Sequence, residues 1–121
     1  MARILIVEDD QLIQEYVAAL LRDDGHEVTV ASDGESGVDI AHALRPDLII
    51  ADIRLPKLDG VAMIARIRAD PATDGAHIIA VSAGEILARD RGRLAADSVL
   101  SKPLDFNELL ADVTVILQHV T

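Results

Sequence analysis

The feature that most restricts this chain is an alternation of two periodicities. Short β-branched apolar runs are followed by longer stretches whose apolar residues recur at helical spacing. Arg3-Ile4-Leu5-Ile6-Val7 is too short for a helix and suits a strand buried on both faces. Leu12, Ile13, Tyr16, Val17, Leu20 and Leu21 then recur at helical spacing up to Gly25. Glu27-Val28-Thr29-Val30-Ala31 reads as a second strand, and Asp33 as the cap of a helix through Leu44 that Pro46 stops. Leu48-Ile49-Ile50-Ala51 is a third strand, after which Met63, Ile64 and Ile67 share a helical face ending before Pro71. His77 to Val81 is a fourth. Ala83 to Ala96 reads as a weakly marked helix, with Gly84 and Gly92 against it. Ser98-Val99-Leu100 is a short fifth strand. Asp105-x-x-Glu108 resembles a capping box opening a last helix, whose stripe is Phe106, Leu109, Leu110, Val113, Ile116, Leu117 and Val120. These units predict an α/β fold of three layers, a (βα)5 doubly wound parallel five-stranded sheet covered on both faces.

Composition narrows the function. At 121 residues the chain makes one domain, and half of them are hydrophobic, enough for a core. Eleven basic against 21 acidic residues give a net charge of −10, which argues against nucleic acid as a partner. Cysteine is absent, so thiol nucleophiles and thiolate metal sites are excluded. The chain opens on no signal peptide and holds no apolar run of membrane-spanning length, so the expectation is a cytoplasmic protein without a membrane partner.

In a doubly wound sheet, sites form beyond the carboxyl ends of the strands. The first strand ends in Glu8-Asp9-Asp10, the third in Asp52, the fourth in Ser82 and the fifth in Ser101-Lys102-Pro103. Each has a plain structural reading. Glu8-Asp9-Asp10 can be helix capping, Asp52 a turn residue, and Lys102 a solvated lysine. Their joint occurrence at the ends of different strands is what those readings leave unexplained. Crowded carboxylates raise a pKa or demand a cation, an all-oxygen set suits a hard divalent ion such as Mg²⁺, and an Asp can itself become an acyl phosphate.

Five segments carry a family resemblance: Ile4-Leu5-Ile6-Val7-Glu8-Asp9-Asp10, Pro46-Asp47-Leu48-Ile49-Ile50-Ala51-Asp52, Leu55-Pro56-Lys57-Leu58-Asp59-Gly60, Ile79-Ala80-Val81-Ser82-Ala83 and Ser101-Lys102-Pro103. With these the whole chain resembles the receiver domain of two-component response regulators, of the stand-alone chemotaxis type. The resemblance implies a flavodoxin-like strand order of 2-1-3-4-5. It implies that Asp52 accepts a phosphoryl group from the phosphohistidine of a sensor histidine kinase or a histidine phosphotransferase. Mg²⁺ would be held by Asp9, Asp52 and the backbone carbonyl of Arg54, with Glu8 assisting through water. Ser82 would hydrogen-bond the phosphoryl group, Lys102 would pair with it, and the Lys102–Pro103 bond would be cis. Such a chain is a phosphoacceptor signalling domain, with self-catalysed phosphoryl acceptance and hydrolysis at most.

Some positions depart from the family pattern. Val99 stands where members usually carry an aromatic residue three places before the Lys-Pro pair, Ala95 stands where Gly is typical, and the stretch from Ser82 to Lys102 is short. Arg89, Arg91 and Arg93 form a local basic cluster, readable as a solvated helix face or as a surface for an acidic partner. Residues 83–100 and the last helix are where a downstream protein target would bind. Residues 1–121 are expected to be one receiver domain without an output domain, although a domain excised from a longer regulator would look the same. The competing reading is a pseudo-receiver, an interaction module of the same fold that phosphorylation does not regulate. A flavin protein is disfavoured because Glu8-Asp9-Asp10 would repel a phosphate. An aspartyl phosphatase is disfavoured because it would want Asp-x-Asp there.

Overall fold

The computed structural model describes residues 1–82 and 94–118. Within them the order is β1 (Arg3–Val7), α1 (Gln11–Asp23), β2 (Glu27–Ala31), α2 (Gly34–Leu44), β3 (Leu48–Asp52), α3 (Gly60–Ala69), β4 (His77–Ser82), β5 (Ser98–Ser101) and α4 (Phe106–Leu117). Most of the helix expected over Ala83–Ala96, with Arg89, Arg91 and Arg93, lies outside the described residues. Residues 94–96 are not helical.

All five strands are parallel, in the order β2-β1-β3-β4-β5. Pleating sorts their side chains between two cores. Ile4, Ile6, Leu48, Ile50, Ile79 and Val81 face one side, with Val17, Ala18 and Leu21 of α1 and Leu109, Val113 and Ile116 of α4. Leu5, Val7, Ile49, Ala51, Ile78 and Ala80 face the other, with Ala41 of α2 and Met63, Ile64 and Ile67 of α3. The split follows from handedness. The chain runs one way from β1 to β2 and the other way from β2 through β3, so right-handed crossovers send α1 and α2 to opposite faces. The reversal opens a crevice between the ends of β1 and β3.

Asp side chains start the helices. Asp10, Asp33, Asp59 and Asp105 are the N-caps of α1, α2, α3 and α4, each accepting backbone N–H groups of the first turn. Two ties across the fold have no periodic signature. Arg68 of α3 donates from Nε to the Ala95 carbonyl at 2.9 Å, from Nη1 to the carbonyls of Asp74 and Ala76, and from Nη2 to Asp97 Oδ2 at 3.3 Å. It thereby fastens α3 to the segment that enters β5.

His42 Nδ1 lies 2.6 Å from Asp70 Oδ2, joining the C-terminal ends of α2 and α3. That bond, with the Ala72 N–H, holds the Asp70 carboxyl below the usual range. A lowered folded pKa means stability that is present above the unfolded carboxylate pKa and lost as pH falls through the folded one. His42→Ala is expected to return Asp70 toward the ordinary range in an NMR titration. An unmoved Asp70 would show that the pair is not formed in solution.

Candidate functional site

The three acidic residues after β1 divide their work. Asp10 is the helix cap, its Oδ1 accepting from Leu12 N at 3.0 Å and Ile13 N at 3.2 Å. Glu8 and Asp9 instead join Asp52, with one carboxylate oxygen from each lying within 4.8 Å of the others. Capping thus explains Asp10 and not its neighbours.

Asp52 ends the fully buried central strand and is itself 3% exposed. Its Oδ1 accepts the backbone N–H of Arg54 at 2.9 Å, and its Oδ2 accepts from Lys102 Nζ at 2.6 Å. Lys102 Nζ is also 3.5 Å from Glu8 Oε2. Lys102 is delivered by β5: its backbone N–H donates to the Ser82 carbonyl at 2.8 Å, continuing the ladder beyond the Ser82–Ser101 register. The Lys102–Pro103 bond is cis. Ser82 is buried at the end of β4. Arg54 is exposed immediately beyond Asp52.

Glycine permits two close approaches around the β3–α3 loop. A Cβ on Gly60 would sit 2.3 Å from the Asp52 carbonyl oxygen, so α3 can begin directly against β3 only with glycine there. A Cβ on Gly34 would sit 1.8 Å from the Leu58 carbonyl oxygen, where the β3–α3 loop crosses the start of α2.

Burial is the main force on the Glu8 carboxyl and pushes it up to about 7. The Asp10 N–H opposes the rise, the Asp52 charge adds to it, and Lys102 opposes it. Lys102 is held above its ordinary range: burial pulls it down, but the hydrogen bond to Asp52 and the charges of Glu8 and Asp52 outweigh that. When fully ionised, the three carboxylates outnumber the one ammonium by two charges. An all-oxygen cluster with an excess of two negative charges fits a hard divalent cation.

Every residue expected in the site is therefore at this edge of the sheet. Val99, in register with Ala80, is partly buried against the α2–α3 core. The two aromatics, Tyr16 and Phe106, meet edge to face at 4.6 Å between α1 and α4. Sequence reasoning missed Gln14, which is buried at 8% exposure while Leu12 and Tyr16 of the expected stripe are 80% and 52% exposed. Its burial follows from sharing one helical face with Val17, Ala18 and Leu21, a placement that its polarity masks in the sequence.

A family model for the response regulator receiver domain matches residues 4–114. The chain belongs to the response regulator receiver domain family. Among curated relatives, this receiver domain is 39% identical over 121 residues to the "DNA-binding dual master transcriptional regulator RpaA" of Synechocystis sp., covering 98% of the chain but 50% of the relative. It is 36% identical to the transcriptional regulatory protein CseB of Streptomyces coelicolor, covering 96% of the chain and 49% of that protein. The receiver domain thus spans about half the length of the curated relatives it matches. Among solved structures, the chemotaxis response regulator CheY4 of Vibrio cholerae superposes with a TM-score of 0.89 at 27% identity, covering 97% of this chain and 99% of that one. The receiver domain of sensor histidine kinase PA1611 from Pseudomonas aeruginosa, solved with a magnesium ion coordinated in its active-site cleft, gives 0.83 at 33% identity, covering 97% and 95%. Among the described residues, no helix is long and apolar enough to cross a membrane.

Proposed function

We propose that this receiver domain accepts a phosphoryl group on Asp52 from the phosphohistidine of a histidine kinase or phosphotransferase. The observation that carries the reading is Asp52 itself, a buried carboxylate gripped on both oxygens within an acidic cluster at the switch point of the sheet. Glu8, Asp9 and Asp52, with the Arg54 carbonyl, would hold Mg²⁺, which when bound supplies positive charge to the phosphoryl oxygens.

The chain's own groups do the positioning. An Asp52 carboxylate oxygen attacks phosphorus, a P–O bond forms as the donor's P–N bond breaks, and the imidazole leaves with the electron pair and takes a proton. The Arg54 N–H fixes the carboxylate plane. The Lys102 ammonium passes from Oδ2 to the phosphoryl oxygens, and the Ser82 hydroxyl donates to one of them. The product carries about −1.5 to −2 charge and new acceptors, which gives Ser82 and Lys102 a reason to move and a protein target something to read. The net charge of −10 argues against nucleic acid as a partner of this domain.

The donor reaches Asp52 across the start of α1, where Leu12 and Tyr16 are exposed just beyond Asp9 and Asp10. Leu12→Asp is expected to slow transfer from a kinase about tenfold, the cost of one contact of ~1.4 kcal/mol, with phosphorylation by a small-molecule donor unchanged. Equal slowing with both donors would place Leu12 outside the docking surface. The reading as a whole is tested by incubating the chain with a radiolabelled, phosphorylated histidine kinase domain. Label should move to the chain in Mg²⁺ and stay on the kinase in EDTA; transfer indifferent to EDTA would count against it.

A further inference from the structure

Beneath the acidic cluster lies a polar side chain that the phosphoryl chemistry does not use. Gln14 projects from the second turn of α1 toward the sheet and is more than nine-tenths buried. Its Nε2 lies 3.0 Å from the Glu8 carbonyl oxygen, 3.2 Å from the Ala31 carbonyl oxygen and 3.3 Å from Ser32 Oγ. Two of these neighbours can only accept and the third can, so the NH₂ end of the amide must face them.

These bonds complete a set of restraints on one turn. The Glu8 N–H donates to the Ala31 carbonyl at 3.0 Å. The Asp10 N–H donates to Glu8 Oε1 at 3.0 Å, and Asp10 is anchored as the α1 cap. The Glu8–Asp9 peptide between them is held by its carbonyl oxygen, through Gln14. Rotation of that peptide would swing the Asp9 side chain away from Glu8 and Asp52. It would also leave a buried carbonyl without a partner, a cost of ~1–3 kcal/mol.

We infer that Gln14 is a positioning residue: by holding the Glu8–Asp9 peptide it sets the spacing of the Glu8, Asp9 and Asp52 carboxylates and so the affinity of the chain for Mg²⁺. This rests on the reading of those carboxylates as the cation site. Gln14 is not among the groups that would hold the cation or the phosphoryl group. It acts through the backbone, as partners behind metal ligands do.

Gln14→Met keeps the length and volume of the side chain and removes both donors. Mg²⁺ titration followed by amide NMR shifts is expected to show affinity lowered about tenfold, the lower end of such effects. The Mg²⁺ concentration for half-maximal phosphorylation should rise by the same factor, with the rate at saturating Mg²⁺ nearly unchanged. Thr73→Val is the control for general destabilisation, because buried Thr73 donates to the Ile67 carbonyl at 2.8 Å between α3 and β4, away from the site. It should leave Mg²⁺ affinity as in the wild type. Should Gln14→Met not fold, Gln14→Asn, with its amide one methylene short, carries the same test. Wild-type affinity in the Gln14 variant, or equal weakening by Thr73→Val, would overturn the inference. A wild-type chain that binds no Mg²⁺ would instead overturn the reading of the site on which it rests.

Discussion

Asp52→Asn is expected to take up no phosphoryl group from any donor while keeping the fold. Asparagine has nearly the volume of aspartate, and its carbonyl oxygen can still accept the Arg54 N–H that Oδ1 accepts at 2.9 Å. What it lacks is the anionic oxygen that attacks phosphorus and survives as the acyl phosphate. The substitution also removes one negative charge from a crowded, buried cluster and costs Lys102 its 2.6 Å partner. Lys102 keeps Glu8 at 3.5 Å, so the ammonium is not stranded. Far-UV circular dichroism and thermal melting should therefore resemble the wild type, with phosphoryl uptake below detection. Uptake at the wild-type level would remove Asp52 from the chemistry.

The second large effect is in stability, and its sign runs opposite to that of an ordinary paired carboxylate. Glu8 is raised from 4.5 to about 7 chiefly by burial, so its charged form is disfavoured in the folded state. Below the unfolded pKa both states hold the proton and there is no penalty. Between 4.5 and about 7 the unfolded chain gives up its proton first, so the Glu8 contribution falls as pH rises. Above that the penalty is complete, on the order of a few kcal/mol at ~1.4 kcal/mol per pKa unit. Glu8→Gln mimics the neutral form and can keep the Asp10 N–H bond. In EDTA it should be more stable than the wild type by about that amount at pH 8, the gap closing near pH 4.5. Mg²⁺ should narrow the gap at pH 8 by stabilising the charged wild type alone. A gap independent of pH would mean that Glu8 is not held neutral by its surroundings. Denaturant melts at the two pH values decide it.

Much of this architecture was legible in the residue order because strand and helix periods alternate clearly along most of the chain. A run such as Leu48-Ile49-Ile50-Ala51 has no polar face, and only a sheet covered on both sides accommodates it. The gathering of the candidate residues was legible for the same reason. Once the strands are parallel, Glu8, Asp9, Asp52, Ser82 and Lys102 must gather at one edge.

What the sequence hid were contacts made by single polar side chains across elements. In α1 the larger apolar residues Leu12 and Tyr16 drew the stripe toward the solvent face, whereas the buried face runs through Gln14 and Ala18. An amide whose hydrogen bonds are met by backbone carbonyls can sit in a core, and no hydropathy pattern encodes that. Arg68 is the same case: a basic residue in the last turn of α3 reads as solvated, yet its guanidinium bonds to backbone carbonyls on either side of β4. The division of Glu8-Asp9-Asp10 into ligand candidates and cap likewise needed the turn geometry.

Everything proposed for this domain depends on Asp52 becoming an aspartyl phosphate with the help of Mg²⁺. Its most direct test is the intact mass of the wild-type chain after incubation with a small-molecule phosphodonor, with and without Mg²⁺, followed by peptide mapping of any adduct. One Mg²⁺-dependent phosphoryl group, labile to hydroxylamine and confined to the peptide that contains Asp52, is the predicted result. No adduct, an adduct that forms equally in EDTA, or one that maps to another residue would contradict it.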